Sequence, residues 1–160
     1  MKEYEKIYSI LKNLNIPFEV VEHPPAITTE EADSYIEGIE GVRTKTLFLT
    51  NNKKRNFYLL IMDGKDRLDM ENFSNKVEEK RVKLASDELL FNKLGTSPGM
   101  VSIFGIVNNL EKDIKIYFDN RIIAEKRMSF RPNDNTKTIF LKTEDVLKFL
   151  KSEGFDYFSI

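Results

Sequence analysis

The chain has 160 residues, 41% hydrophobic and 32% charged, which is typical of a globular protein with one substantial core. Its 25 basic and 26 acidic residues give a net charge of −1, so contact with a polyanion would need a local patch. The absence of cysteine and the presence of one histidine exclude disulfides, thiolate nucleophiles and Cys- or His-cluster metal sites. The chain lacks an apolar leader and any run of about 18 apolar residues, so we expect a cytoplasmic protein without a membrane partner.

The N-terminal third of the chain predicts a helix, a strand and a second helix. Apolar residues at helical spacing predict the first helix over residues 4–14. A β-rich run predicts a strand over 17–22. Thr28 and Glu31 form a capping-box pattern, which predicts a helix through 30–36.

Two β-rich runs, 45–50 and 56–63, flank a polar segment and predict a hairpin. The second run is apolar at successive positions, which indicates a central strand with both faces covered. The hairpin tip carries Lys53, Lys54 and Arg55, which could touch a nucleic-acid backbone but are more typical of a solvated turn.

The rest of the chain alternates further short elements with loops. Ser86 is a candidate N-cap for a helix that Gly95 ends, and Thr143 is a candidate N-cap for the last helix, which ends at Gly154. The predicted elements are a helix over 70–78, a strand over 81–85, a helix over 86–94, a loop over 95–99, strands over 114–119 and 122–125 joined by a tight turn, a strand over 137–142 and a helix over 143–154.

Neighbouring strands are too closely spaced in the chain for parallel crossovers throughout. We therefore predict a single α+β (mixed α/β) domain over residues 1–160, with a mixed, mostly antiparallel sheet and surrounding helices.

Three side chains are candidates for chemistry, each with a structural alternative. His23 has an unperturbed pKa near neutrality, but no Ser-His-carboxylate pattern surrounds it, and a loop role is more common. Lys45 starts an apolar strand, so its ammonium could enter a cleft and hold a carbonyl or phosphate; alone it would be a solvated lysine. Arg131 could bind a phosphate or belong to a turn.

The loop over 95–99 has glycines that allow its backbone N–H groups to approach a ligand. It lacks the ending of a Walker loop and the spacing of a dinucleotide fingerprint, so its local pattern alone indicates a turn.

Five segments occur in an order that resembles the YbaK/prolyl-tRNA editing superfamily. The resemblance spans about residues 4–154 and is strongest to the freestanding ProX or PrdX type, relatives of the insertion domain of bacterial prolyl-tRNA synthetase. The segments are 18–26 (FEVVEHPPA), 28–32 (TTEEA), 45–49 (KTLFL), 95–105 (GTSPGMVSIFG) and 130–136 (FRPNDNT).

The resemblance implies a cleft for the 3′ end of an aminoacylated tRNA. It implies that Lys45 and the Gly99 backbone are catalytic, with the loop residues Gly95 and Pro98 around the aminoacyl group. Residues at two positions depart from the alanine-specific relatives, which often have asparagine at the position of Thr46 and histidine at that of Arg131. The implied substrate-binding residues are His23, Thr46, Gly95, Pro98, Phe104, Arg131 and Asn135.

The implied function is a trans-editing deacylase that hydrolyses mischarged Ala-tRNA(Pro), with prolyl-tRNA synthetase as a second candidate partner. An aminoacyl ester is already activated, so water or the vicinal ribose hydroxyl can attack it with no cofactor and no metal, given orientation and electrostatics. Two alternatives remain: a deacylase for another small amino acid, cysteine or serine, and a non-catalytic regulator that binds charged tRNA or an amino acid.

Overall fold

The computed structural model describes residues 2–26 and 28–160, which form helices and strands in alternation. The helices are α1 Glu3–Asn13, α2 Thr29–Ser34, α3 Met70–Lys76, α4 Asp87–Leu94, α5 Asn120–Ile123 and α6 Thr143–Ser152, with a 3₁₀ segment at Ile103–Asn108. The strands are β1 Glu19–Glu22, β2 Val42–Asn51, β3 Phe57–Asp63, β4 Val82–Leu84, β5 Ile114–Phe118, β6 Arg127–Phe130, β7 Lys137–Lys142 and β8 Tyr157–Ser159. Within the described residues, no helix combines the length and apolarity that crossing a bilayer requires.

The eight strands form one mixed sheet in the order β1-β7-β6-β2-β3-β5-β8, with β4 paired to β2 beside this path. Four of the seven pairings are antiparallel (β1 with β7, β6 with β7, β2 with β3, β2 with β4) and three are parallel (β2 with β6, β3 with β5, β5 with β8). The predicted mixed α/β architecture is confirmed.

Strand β3 lies between β2 and β5, as its apolar pattern predicts. Side chains alternate between the two faces of a strand. Leu59 and Ile61 therefore join the main core with α1, α4, the 3₁₀ segment and α6, while Leu60 and Met62 join a second cluster under α3. The sheet thus carries a hydrophobic core on each face.

Local capping signals place two of the helices where the sequence predicts them. The Thr28 hydroxyl accepts a hydrogen bond from the Glu31 amide at 3.1 Å, and the Ser86 hydroxyl accepts one from Leu89 at 3.2 Å. Helix α4 ends at Gly95, whose φ of +67° is the left-handed conformation that glycine adopts most easily.

The structure corrects three predictions about local elements. Residues 122–125 are not a strand, because Asp119 caps the short helix α5 by accepting a bond from the Arg121 amide at 2.9 Å. Thr143 does not cap α6: Lys142 is the N-cap, and the Thr143 hydroxyl donates to the Glu125 carbonyl at 2.5 Å. Strand β2 begins at Val42 rather than at residue 45.

Two further strands, β6 and β8, lie outside the predicted set. Neither has a long alternating pattern: β6 is four residues and β8 is three. Each forms because a longer strand beside it, β7 or β5, offers a backbone edge.

Candidate active site

Strand β2 changes its partner part-way along one edge. Its other edge pairs continuously with β3. On the first edge, β6 pairs only with Val42 and Arg43, and β4 pairs only with Leu49, Thr50 and Asn51. Between these two ladders, the described strands leave a gap in which the edge of β2 has no strand partner.

The gap exposes specific backbone groups of β2. The Arg43 carbonyl points to the β3 side, where it accepts from Gly64 at 2.6 Å, and the Phe48 carbonyl points to the gap side, where it accepts from Ala85 at 2.9 Å. Backbone groups of alternate residues in an antiparallel pair point to the same edge. The N–H and C=O groups of Thr46 therefore face the gap.

A cleft of about 310 Å³ opens at this gap. Five segments form it: the middle of β2, the β4–α4 connection, helix α4, the loop before the 3₁₀ segment and the end of β6. The residues that line it are Thr44, Lys45, Thr46, Leu47, Phe48, Leu84, Ala85, Asp87, Leu90, Pro98, Gly99, Val101, Ser102, Phe130 and Arg131.

A tight turn forms one wall of the cleft. The Met100 amide donates to the Ser97 carbonyl at 3.2 Å, and Gly99 has a φ of +89°. Proline at the second position and a positive φ at the third define a type II turn, in which the third residue is normally glycine. The turn places Pro98 and Gly99 on the cleft surface.

Arg131 joins this turn to the start of α2. Its guanidinium donates one hydrogen bond to the Gly99 carbonyl and another, at 2.9 Å, to the Thr28 carbonyl. Burial lowers the pKa of Arg131, while the nearby carboxylates of Asp33 and Glu31 act in the opposite direction. The side chain is a cation at neutral pH all the same, because an arginine pKa starts so high.

Lys45 is the fourth residue of β2 and lies opposite Met62 of β3. It is partly buried, lines the cleft and donates from its ammonium to the Asp66 carbonyl in the loop after β3. The Asp66 carboxylate is in turn paired with Arg121 at 2.8 Å. An ammonium has three N–H donors, and among the described residues Asp66 is the partner found for Lys45.

His23 is not among the described residues that line the cleft. Its Nδ1 is 2.9 Å from the Pro24 carbonyl and its Nε2 is 2.9 Å from the Thr138 hydroxyl, and its ring stacks on Tyr35 at 5.2 Å. Because a carbonyl can only accept, Nδ1 carries the proton in this bond. Both ring nitrogens are therefore engaged within the protein.

Three other residues that the sequence predicts for the pocket are also not among the described residues that line the cleft. Gly95 ends α4, and a side chain there would come within 2.6 Å of Asn108 Nδ2. Phe104 is fully buried, with its ring against Phe130 and Phe149 at 5.6 and 5.2 Å. The Asn135 carbonyl accepts from Ala26 at 3.0 Å and so tethers the loop after β1. Of the residues that the sequence predicts, Lys45, Thr46, Pro98, Gly99 and Arg131 meet at the cleft.

The cleft also contains polar residues that the sequence analysis did not select. Asp87, in the first turn of α4, contributes a carboxylate. Ser102 is 1% exposed, and its hydroxyl donates to Asn133 Oδ1 at 3.3 Å and accepts from the Phe104 amide at 3.2 Å. A serine inside the apolar run 101–104 is a sequence signal that could have found it. No group of three or more His, Cys, Asp or Glu side chains that could hold a metal ion occurs among the described residues.

Similarity to known proteins identifies the family of the chain. The sequence profile of the aminoacyl-tRNA editing domain matches residues 23–149. The chain belongs to this family. The editing domain is 30% identical over 155 residues to the prolyl-tRNA editing protein ProX of Acetoanaerobium sticklandii, covering 96% of this chain and 94% of that protein.

A synthetase and a solved structure are also similar to the editing domain. Over 119 residues it is 30% identical to the proline–tRNA ligase of Aquifex aeolicus, covering 74% of this chain and 20% of that protein. The crystal structure of a candidate trans-editing enzyme for prolyl tRNA synthetase matches with a TM-score of 0.75 and 19% identity, over 98% of this chain and 95% of that one. That likeness shows that the fold is shared.

Proposed function

We propose that this editing domain hydrolyses mischarged Ala-tRNA(Pro), acting in trans on the acceptor end of the tRNA. The observation that carries the proposal is the cleft at the gap in β2, where Lys45 and the Pro98–Gly99 turn lie on one small surface. The similarity to a prolyl-tRNA editing protein supports tRNA(Pro) as the substrate, and the similarity to a proline–tRNA ligase supports the synthetase as a partner.

In this proposal the backbone and Lys45 stabilise the negative charge that develops on the ester. The N–H of Thr46 on the open edge and the N–H of Gly99 in the turn are candidate donors to the carbonyl oxygen. The Lys45 ammonium holds the ester end or the neighbouring phosphate with the donors that Asp66 does not use. Asp87 provides a carboxylate for the free α-ammonium group of the aminoacyl moiety.

Hydrolysis needs water as the nucleophile, because attack by the vicinal ribose hydroxyl would only move the aminoacyl ester from one ribose oxygen to the other. Attack on the ester forms a bond between the oxygen of the nucleophile and the carbonyl carbon. The bond between that carbon and the ribose oxygen then breaks. The ribose oxygen takes up the proton that the nucleophile loses; with water the products are alanine and uncharged tRNA. Orientation and charge stabilisation are sufficient for an ester that is already activated.

Size accounts for the choice of alanine. The aminoacylation site of a prolyl-tRNA synthetase is built for proline and loses only about 1–3 kcal/mol of binding energy with the smaller alanine. A second site must therefore remove the error. A wall of rigid backbone, such as the Pro98–Gly99 turn, excludes a larger ring by steric overlap. Alanine then enters the cleft, while the proline ring does not.

The test is deacylation of Ala-, Cys- and Pro-tRNA(Pro), measured side by side with purified protein. We expect alanine to be released much faster than proline. Faster release of cysteine would assign the domain to a different small amino acid. Binding of charged tRNA without any turnover would establish the non-catalytic alternative.

A further inference from the structure

Arg131 is the link between three segments that are far apart in sequence. Its own segment follows β6, its first bond reaches the Gly99 carbonyl, and its second reaches the Thr28 carbonyl at the cap of α2. The side chain is partly buried and also lines the cleft. A cation with two backbone acceptors in separate loops is a cross-link between them.

The turn that Arg131 holds has little other support. Within the turn, the Met100 amide bonds to the Ser97 carbonyl at 3.2 Å, at the upper end of the usual range for such a bond. Ser97 and Pro98 are exposed. A hydrogen bond from a charged donor is about twice as strong as a neutral one, so the contact from Arg131 is a main restraint on the Gly99 peptide.

We propose that Arg131 is a positioning residue that fixes the Ser97–Met100 turn and thereby sets the width of the cleft. This inference rests on the proposed function for its effect on selectivity, but the restraint on the turn is a property of the fold. A planar guanidinium can direct two N–H groups to two separate carbonyls, whereas a lysine ammonium is a single point charge. The residue acts on the substrate through the turn.

The first test measures the turn without any substrate. Hydrogen–deuterium exchange of the peptide covering residues 96–101 is compared in wild type, Arg131→Gln and Arg131→Lys. Loss of a hydrogen bond from a charged donor predicts exchange about 10- to 100-fold faster in Arg131→Gln. Arg131→Lys should restore only part of the protection.

Arg127 is the matched control. Its guanidinium also donates to a backbone carbonyl, that of Glu40 at 3.0 Å, and to the Glu19 carboxylate at 2.6 Å, but it lies outside the described lining of this cleft. Arg127→Gln should leave exchange over residues 96–101 at the wild-type rate.

The second test measures selectivity as the ratio of alanine to proline release from tRNA(Pro). We expect Arg131→Gln to reduce this ratio about tenfold or more, because a mobile turn no longer excludes the ring. Arg127→Gln should keep the wild-type ratio. A general loss of folded protein would lower both rates together and leave the ratio unchanged.

The outcomes separate the parts of the proposal. Unchanged exchange in Arg131→Gln would overturn the restraint itself. A second outcome is faster exchange in Arg131→Gln with an unchanged ratio, together with a KM for tRNA that is higher and depends less on salt. This outcome would show that Arg131 binds phosphate and would overturn the role in selectivity. If wild-type protein released neither amino acid, the proposed function would fail, while the exchange experiment would still decide the restraint.

Discussion

Lys45 and Gly99 are the two residues on which the proposed chemistry depends most, and they are constrained differently. Lys45 is held by a side-chain bond to the Asp66 carbonyl. Gly99 is held by its backbone, with a φ of +89° that disfavours any side chain. Substitution of Lys45 should therefore affect chemistry, whereas substitution of Gly99 should affect both chemistry and stability.

We predict that Lys45→Ala lowers kcat/KM for Ala-tRNA(Pro) about 30- to 1,000-fold, which corresponds to a loss of about 2–4 kcal/mol of electrostatic stabilisation. The side chain is only partly buried, so the variant should remain folded by circular dichroism. Lys83→Ala is the control, because Lys83 is exposed on β4 beside Thr50. Near-normal deacylation by Lys45→Ala would dismiss the proposed role.

We predict that Gly99→Ala lowers the free energy of unfolding by about 1–2 kcal/mol, because an L-residue must adopt a left-handed conformation there. It should also slow deacylation by shifting the turn. Gly38→Ala is a matched control: Gly38 has a φ of +86° and no neighbour within 4 Å of a new Cβ. Thermal unfolding should change similarly in both variants. Equal activity in the two variants would argue against a role for the turn in catalysis.

At the scale of elements, helix α4 supports one side of the cleft with Asp87 and Leu90. Ser86 caps its first turn, and Lys93 anchors its last turn through bonds to Glu111 at 3.2 Å and Asp113 at 2.6 Å. The cleft wall therefore depends on a charged contact at the far end of the same helix.

This anchor predicts a pH dependence of stability. Burial by itself would raise the pKa of Asp113, but hydrogen bonds from Lys93 and Asn109 outweigh it, so the pKa is lowered in the folded protein. A lowered folded pKa contributes stability above the unfolded value of about 3.9, and this contribution is lost as the pH falls through the folded pKa.

We expect Asp113→Asn to be less stable than wild type by about 1 kcal/mol at pH 7, with the difference shrinking at acid pH. Thermal unfolding of both proteins from pH 7 to pH 2 measures this. Asp156→Asn, at an exposed position, is the control. A stability difference that stays constant across the pH range would refute the assigned linkage.

At the scale of the whole molecule, the sheet creates the cleft by dividing its pairing along β2. Residues from β2, the β4–α4 connection, the Pro98–Gly99 turn and the end of β6 converge there. The polar groups at this convergence are backbone amides, one lysine, one arginine and hydroxyl or carboxylate side chains. This chemistry suits charge stabilisation of an ester.

We predict that deacylation is independent of a protein-bound metal. The sequence has no cysteine and one histidine, so nitrogen and sulfur ligands are scarce. After extensive treatment with a chelator and return of magnesium for tRNA folding, the rate should stay within about twofold of the untreated protein. Loss of activity that zinc specifically restores would contradict this prediction.

Local signals in the sequence determine most of the helices and the central strand. Thr28 and Ser86 cap helices because their hydroxyls reach an amide three residues ahead, a contact that needs no distant partner. Strand β3 is apolar on both faces, and this pattern indicates a central strand with a core on each face. These features depend on neighbours in the chain.

Pairing between strands that are distant in sequence accounts for the strands that the sequence analysis missed. Strands β6 and β8 are too short to have a period, and they form because β7 and β5 offer them a backbone edge. The segment 122–125 has strand-like composition, but Asp119 captures the Arg121 amide and turns the chain into α5.

The candidate site divides in the same way. The sequence motifs select Lys45, Pro98 and Gly99 as candidate site residues, because they stand in segments that resemble the motifs of the family. Only the tertiary structure shows that Phe104 belongs to the core and that both ring nitrogens of His23 are hydrogen-bonded, to the Pro24 carbonyl and the Thr138 hydroxyl. Those roles depend on what packs against each side chain, and residues distant in sequence supply that packing. The open edge of β2 likewise exists only because β6 and β4 pair with different parts of it.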